Sequence, residues 1–260
     1  MMNRISNVIR LSGLSVLLAA AVSMVLPVTA GAVANTGGTG TPFCTNIATV
    51  TAKVKTDIGN LQTKLNQARS AEDAKRTSNR TAEDKDIQTA RTKWDAQRQE
   101  NFTKLMAKAD SDTEKAAVTT YQTAITSAVT TRRAAFDAAR TTFRSGVDAA
   151  VTARRATVDA QITTFNGAVD SAATTATQAC VGATAAQSAA ARVAYVAAMK
   201  TARAAFKADR QDDDKIADTV KDLAATRDAA FKTATTTFTT ATAAARAALK
   251  TAFGAAAGSV

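Results

Sequence analysis

Between Ala124 and Gln178 the chain repeats every eleven residues: AITSAVTTRRA, AFDAARTTFRS, GVDAAVTARRA, TVDAQITTFNG, AVDSAATTATQ. Ile125, Phe136, Val147, Val158 and Val169 share one repeat position, and Asp137, Asp148, Asp159 and Asp170 follow one residue later. Thr130, Thr141, Thr152, Thr163 and Thr174 form a third register. Eleven residues are three helical turns at about 3.67 residues per turn. A pattern held this long specifies a long helix, nearly straight or with a slight right-handed supercoil, that needs a partner along its length.

Few residues interrupt that reading. The only prolines are Pro27 and Pro42, and from Phe43 to Phe253 the only glycines are Gly59, Gly146, Gly167 and Gly182. So few breakers argue against a loop-rich or β-rich fold. Alanine, the best helix former, and threonine dominate instead. The expected class is all-α: an elongated antiparallel helical hairpin or coiled coil of about three long helices, near 42–109, 112–179 and 184–253.

Residues 1–34 read as a signal peptide. Arg4 and Arg10 precede an apolar run from Leu11 to Leu26; Pro27 ends it, and small residues allow cleavage after Ala30 or Ala34. The alternative is an uncleaved membrane anchor. Either way the chain is expected to be exported, to a periplasm, a cell surface or the medium. Residues 35–41, NTGGTGT, read as a flexible linker, and Thr41-Pro42 as a helix cap followed by proline at the first helical position.

Along the first helix, Ile47/Ile58, Val50/Leu61 and Val54/Leu65 are again eleven apart. Arg69 to Asp86 is nearly all polar or alanine, and is expected to be a solvated or frayed stretch; Ile87, Trp94, Phe102 and Leu105 then restore an apolar stripe. Asp110, Ser111 and Asp112 mark a turn, and Ser111 with Glu114 forms a capping-box pattern. Thr184 with Gln187 forms another. The third helix carries Val193, Val196, Phe206, Ile216, Val220, Leu223, Phe231, Phe238, Leu249 and Phe253 as its apolar positions; Asp212-Asp213-Asp214 marks a break within it or a solvated patch.

Cys44 and Cys180 are the only cysteines, and their sequence midpoint is 112, inside the turn signal. Two antiparallel helices folded there bring the cysteines together at the open end. An exported chain with an even cysteine count is expected to pair them.

On the second helix, the packing stripe comprises Ile125, Phe136, Val147, Val158 and Val169, with Ile162, Phe143 and Phe165 beside it. Arg133–Asp137, Arg144–Asp148 and Arg155–Asp159 are spaced as intrahelical i,i+4 pairs and are expected on the solvated far side. The formal charge is +11: residues 110–180 are neutral, while 44–109 carry +5 and 181–260 carry +4.

The sequence has no histidine, which excludes His-based catalytic sites, and two cysteines so far apart do not make a zinc site. Nucleotide-binding glycine motifs are absent. Neither a catalytic residue, a cofactor, a metal nor a small-molecule substrate is expected. The expected function is that of an exported structural or interaction protein, a non-catalytic long-helix scaffold or spacer at the cell envelope, which self-associates or meets another envelope protein. A second reading is electrostatic binding of an anionic polymer or membrane surface through the basic flanks. In plan and charge the chain is also loosely similar to the small basic periplasmic chaperones that cradle unfolded outer-membrane proteins with helical arms, which implies holdase activity. The threonine register over Thr130–Thr174 resembles the fish type I antifreeze helices, which implies ice binding. Ala134, Ala138, Ser145, Ala149, Ala156 and Ala160 adjoin that register.

Overall fold

The structure, a computed structural model, describes residues 42–211 and 216–257. The described residues are all-helical. Helix α1 spans Pro42–Met106, α2 Asp112–Ala179, α3 Ala185–Gln211 and α4 Ile216–Ala257. At about 1.5 Å per residue, α1 and α2, of 65 and 68 residues, are each about 100 Å of helix. The signal-peptide and linker readings at residues 1–41 and the aspartate run at 212–214 lie outside the described residues.

Threonine is usually a poor helix residue because its hydroxyl and branched Cβ compete with the helical backbone. Here many threonine hydroxyls donate to the carbonyl four residues back, as Thr56 does to Ala52 at 3.0 Å, Thr89 to Lys85 at 2.9 Å and Thr163 to Asp159 at 2.9 Å. Each of these hydroxyls is satisfied within its own helix, so these exposed threonines need no outside partner.

The ends of the helices follow local chemistry. The Ser111 backbone N–H donates to Glu114 Oε2 at 3.0 Å, the Glu114 N–H donates to Ser111 Oγ at 3.2 Å, and the Asp110 N–H also reaches Glu114 Oε2 at 2.9 Å. That reciprocal cap starts α2 just after the α1 chain has turned at Ala107–Ala109. The α2–α3 corner uses Gly182 with φ of 66°, a left-handed conformation that costs a residue with a Cβ. Thr184 and Gln187 then exchange bonds at 2.8 and 3.3 Å to start α3.

Among the described residues there are four helices, where three were expected. The expected third helix is described as α3 and α4, and the aspartate run at 212–214 between them lies outside the described residues. The contacts divide the described chain into two units. The first holds residues 42–78 of α1, 154–179 of α2, and α3; the second holds 79–106 of α1, 112–153 of α2, and α4.

The first unit's core joins Phe43, Ile47, Val54 and Ile58 of α1, Val169, Ala172, Ala173 and Ala176 of α2, and Ala191, Tyr195 and Met199 of α3. Phe43 and Tyr195 meet at 5.8 Å between ring centroids, and Phe165 and Phe206 at 5.3 Å. In this unit Cys44 and Cys180 form a disulfide, with Cα atoms 5.2 Å apart. Val193 and Val196, placed on the apolar stripe of the third helix by their hydrophobicity, are instead 70% and 44% exposed. Ser188, Ala191, Tyr195, Met199 and Ala202 form the buried face, at spacings of three and four.

The second unit is packed through Phe102, Ile125 and Val129, with Tyr121, Phe238 and Ala245 against them. Phe136 stacks on Phe231 with centroids 4.4 Å apart. Gly146 lies so close to α4 that a Cβ there would sit 2.6 Å from Leu223 Cδ2. Trp94, expected in the apolar stripe of α1, is 54% exposed. Its neighbour Asp95 takes the inward position, for the reason given next.

Candidate functional site

The most organised chemistry in the molecule lies in the stretch that looked like a solvated or frayed part of the first helix. Residues 69–86 are helical, and α1 carries the motif Arg-x-x-x-Asp at Arg69/Asp73, Arg80/Asp84 and Arg91/Asp95. Helix α2 carries it at Arg133/Asp137, Arg144/Asp148 and Arg155/Asp159. The pairs expected within α2 on its solvated side turn instead toward α1. A guanidinium and a carboxylate four residues apart on one helix gain only a few tenths of a kcal/mol from each other. Facing a second helix with the same motif reversed, both find a partner with better geometry.

In the first unit, Arg155 donates two hydrogen bonds to Asp73, both at 2.8 Å, and Arg69 Nη1 lies 2.9 Å from Asp159 Oδ1. In the second unit, Arg80 donates to both oxygens of Asp148 at 2.8 and 3.0 Å, and Arg144 to both of Asp84 at 2.9 and 2.8 Å. Arg144 also reaches Glu83 at 2.7 Å. Further along that unit, Arg91 donates to Asp137 at 3.0 and 2.7 Å, and Arg133 to Asp95 at 2.9 and 2.7 Å. The two residue numbers of every cross-helix Arg–Asp pair add to 228, from 69 with 159 to 95 with 133. Each rung is therefore two reciprocal Arg–Asp pairs in one antiparallel register.

Three of the aspartates also take a second arginine from their own helix: Asp73 from Arg76 at 2.7 Å, Asp95 from Arg98 at 2.6 Å, and Asp137 from Arg140. These contacts hold the carboxylates ionised. The Arg133 hydrogen bonds, helped by Arg98, bring the Asp95 carboxyl from its ordinary 3.8 to about 2. Arg155 lowers Asp73, Arg144 lowers Asp84 and Arg91 lowers Asp137, each by direct hydrogen bonding. The arginine side chains are only 15–28% exposed, whereas the aspartates keep 40–57%. Such half-wet pairs contribute at the level of surface ion pairs, up to about 1 kcal/mol each, with bidentate geometry at the upper end.

The predicted stripe residues are distributed over both units. Val158 and Val169 are almost fully buried, and Ile125 is buried; Phe136, Val147, Ile162, Phe143 and Phe165 are half-buried. Phe143 lies under the Arg227 guanidinium at 4.7 Å, and Phe238 under Arg132 at 4.1 Å. These cation–π contacts set one cation of α2 on a ring of α4 and one cation of α4 on a ring of α2. Thr130, Thr141, Thr152, Thr163 and Thr174 are all exposed, as are the adjoining Ala134, Ala138, Ser145, Ala149, Ala156 and Ala160. Between Ser127 and Gln178 the only exposed charged residues of α2 are Asp159 and Asp170, which bond Arg69 and Lys55 of α1.

Among the described residues, no group of three His, Cys, Asp or Glu side chains could hold a metal ion, and no helix is long and apolar enough to cross a membrane. In the second unit Leu105, Arg246, Leu249, Lys250 and Phe253 line a shallow cleft of about 230 Å³. Comparison with protein-family models, curated proteins and solved structures finds no match for the chain.

The rungs were written in the sequence, because RSAED, RTAED and RTKWD begin eleven residues apart. An apolar-periodicity search passes over them, since the arginines occupy the register of Ile47, Ile58 and Phe102 without being apolar.

Proposed function

We propose that this chain is an exported, non-catalytic scaffold or spacer built as an eleven-residue coiled-coil hairpin and working at the cell envelope. The observation that carries the reading is the reciprocal Arg–Asp ladder. The charged side chains of α2 between Arg132 and Asp170 are largely engaged with other helices, so their chemistry goes into holding helices together. The Cys44–Cys180 bond supports an oxidising location. Fractionation of the native host with non-reducing mass spectrometry, together with solution scattering of the purified chain, tests this. The expected result is an oxidised protein in the envelope or medium with a maximum dimension near the length of its longest helices, about 100 Å. A reduced cytoplasmic protein, or a compact particle, would overturn it.

A second reading, ice binding, is favoured by one observation. The threonine register and its small neighbours are exposed, and Arg133, Arg144 and Arg155 of the same helix turn toward α1, leaving the line of Asp137, Asp148, Asp159 and Asp170 along one edge of the register. At about 1.5 Å per residue the threonines recur every 16–17 Å along the helix. Thermal hysteresis of the folded chain, lost when Thr130, Thr141 and Thr152 are changed to lysine, is the expected behaviour. A chain that leaves ice growth unaffected ends this reading.

A further inference from the structure

The ladder that joins α1 to α2 has translational symmetry, and we infer that the two helices possess a second pairing register, eleven residues away, which the Cys44–Cys180 bond and Asn166 hold off. In the observed register the paired numbers add to 228. Advancing α1 by one repeat makes them add to 239. Arg69 then faces Asp170, Arg80 faces Asp159, Asp84 faces Arg155, Arg91 faces Asp148 and Asp95 faces Arg144. Five of the six cross-helix Arg–Asp pairs are remade with new partners. The slip in the opposite sense remakes only four, because Arg91 and Asp95 then face Thr126 and Gln122.

The apolar side chains tolerate the same step. The α2 residues that now meet Ile47, Val50 and Val54 would meet Ile58, Leu61 and Leu65, since these trios are themselves one repeat apart. The short connection must take in the first turn of α2 and give up the Ser111–Glu114 cap, since Met106 then lies opposite Arg133, and three further features oppose the slip. First, the slip moves the two cysteines about 16 Å apart along the helix axis, far beyond the 5.2 Å Cα separation that the disulfide holds. Second, it separates Phe102 from Ile125 and Val129 and sets it opposite Asp137. Third, it leaves Asp73 facing Asn166. Asn166 stands where a fourth Arg-x-x-x-Asp motif, ending in Asp170, would have its arginine, and its Oδ1 is buried with no protein partner. The ladder is complete in one register and one pair short in the other.

The test moves one cysteine by one repeat. In the full chain carrying Cys44→Ser and Lys55→Cys, the new pair at 55 and 180 can close only if α1 advances by eleven residues. A control carrying Cys44→Ser and Thr51→Cys demands a seven-residue advance, which sets Arg80 against Arg155 and Arg91 against Arg144. Each chain is incubated with oxidised glutathione, which takes the two thiol hydrogens, and is read by non-reducing mass spectrometry, with circular dichroism to follow helix content. The expected result is that the Lys55→Cys chain closes within one molecule, the control stays open, and adding Asn166→Arg raises the closed fraction of the first by completing the sixth pair. Free thiols or only intermolecular bonds in the Lys55→Cys chain would overturn the second register. Equal closure of both chains would also overturn it, since that indicates loose helices with no preferred step.

Discussion

At the scale of the residue, two glycines of α2 stand in opposite surroundings. Gly167 is helical, exposed and has open space where a Cβ would stand, whereas Gly146 has Leu223 there. Gly167→Ala is expected to stabilise by roughly 0.5–1 kcal/mol through lost backbone freedom in the unfolded chain. Gly146→Ala is expected to gain less, because the Leu223 side chain must move aside; a denaturant titration of both variants measures the difference. Asp95→Ala leaves Arg133 and Arg98 without their carboxylate. It is expected to cost about 1–2 kcal/mol, more than the loss of a lone surface pair, because one carboxylate serves two guanidiniums. A loss below a few tenths of a kcal/mol in the same titration would show that the ladder contributes geometry and little stability.

At the scale of the element, the ladder makes the α1–α2 pairing sensitive to acid. Asp73, Asp84, Asp95 and Asp137 all titrate below the ordinary aspartate value of 3.8 when folded, Asp95 at about 2. Below 3.8 the unfolded chain binds protons that the folded chain resists, so stability rises with pH in that window. Their contribution is fully present above the unfolded value and is lost as pH falls from about 4 toward 2. Thermal unfolding followed by circular dichroism is expected to show a falling midpoint over that range and a flat one from about 5 to 7. High salt is expected to lower the midpoint at neutral pH by screening the half-exposed pairs. The elements also show what a sequence discloses. Helix α2 was legible because its apolar and charged residues share one period, and both capping boxes were legible because three-residue spacing alone defines them. The direction of the Arg–Asp pairs was not. A motif that fits an intrahelical pair fits a cross-helix pair equally well, and only the matching motif on α1 decides between them. Val193 and Trp94 misled for the complementary reason: hydrophobicity was read as burial, while small residues such as Ser188 and Ala191 filled the buried positions of an alanine-rich helix.

At the scale of the whole molecule, the two units differ in what fastens them. The first contains the disulfide, which closes a loop of 136 residues. In the chain-entropy limit such a closure contributes about 5 kcal/mol. The second unit has no cysteine and relies on stacked aromatics and the Arg132 and Arg227 contacts with phenylalanine rings. Hydrogen exchange after Cys44→Ser is therefore expected to rise most in α3 and in residues 42–78 and 154–179. Uniform acceleration across α4 as well would mean that the two units open together. The division into units was only partly legible: one boundary falls at the aspartate run 212–214, but α1 and α2 contribute to both units and no linker composition marks where they pass from one to the other.

The polar ladder has a consequence for the chain before it folds. A helix pair of this length joined through leucine and isoleucine would expose a long greasy surface whenever it opened. Here the central contact is made of arginine and aspartate, which water solvates well on their own. The unfolded chain therefore exposes apolar residues only at intervals, with the polar stretch from Arg69 to Asp86 between those of Ile47–Leu65 and Phe102–Val129 and with Arg–Asp motifs interleaved through the stripe from Phe136 to Val169. Refolding from denaturant is expected to proceed in high yield even at elevated protein concentration, with light scattering as the measure. For the exported chain proposed above, that would be a practical advantage of holding long helices together by charge.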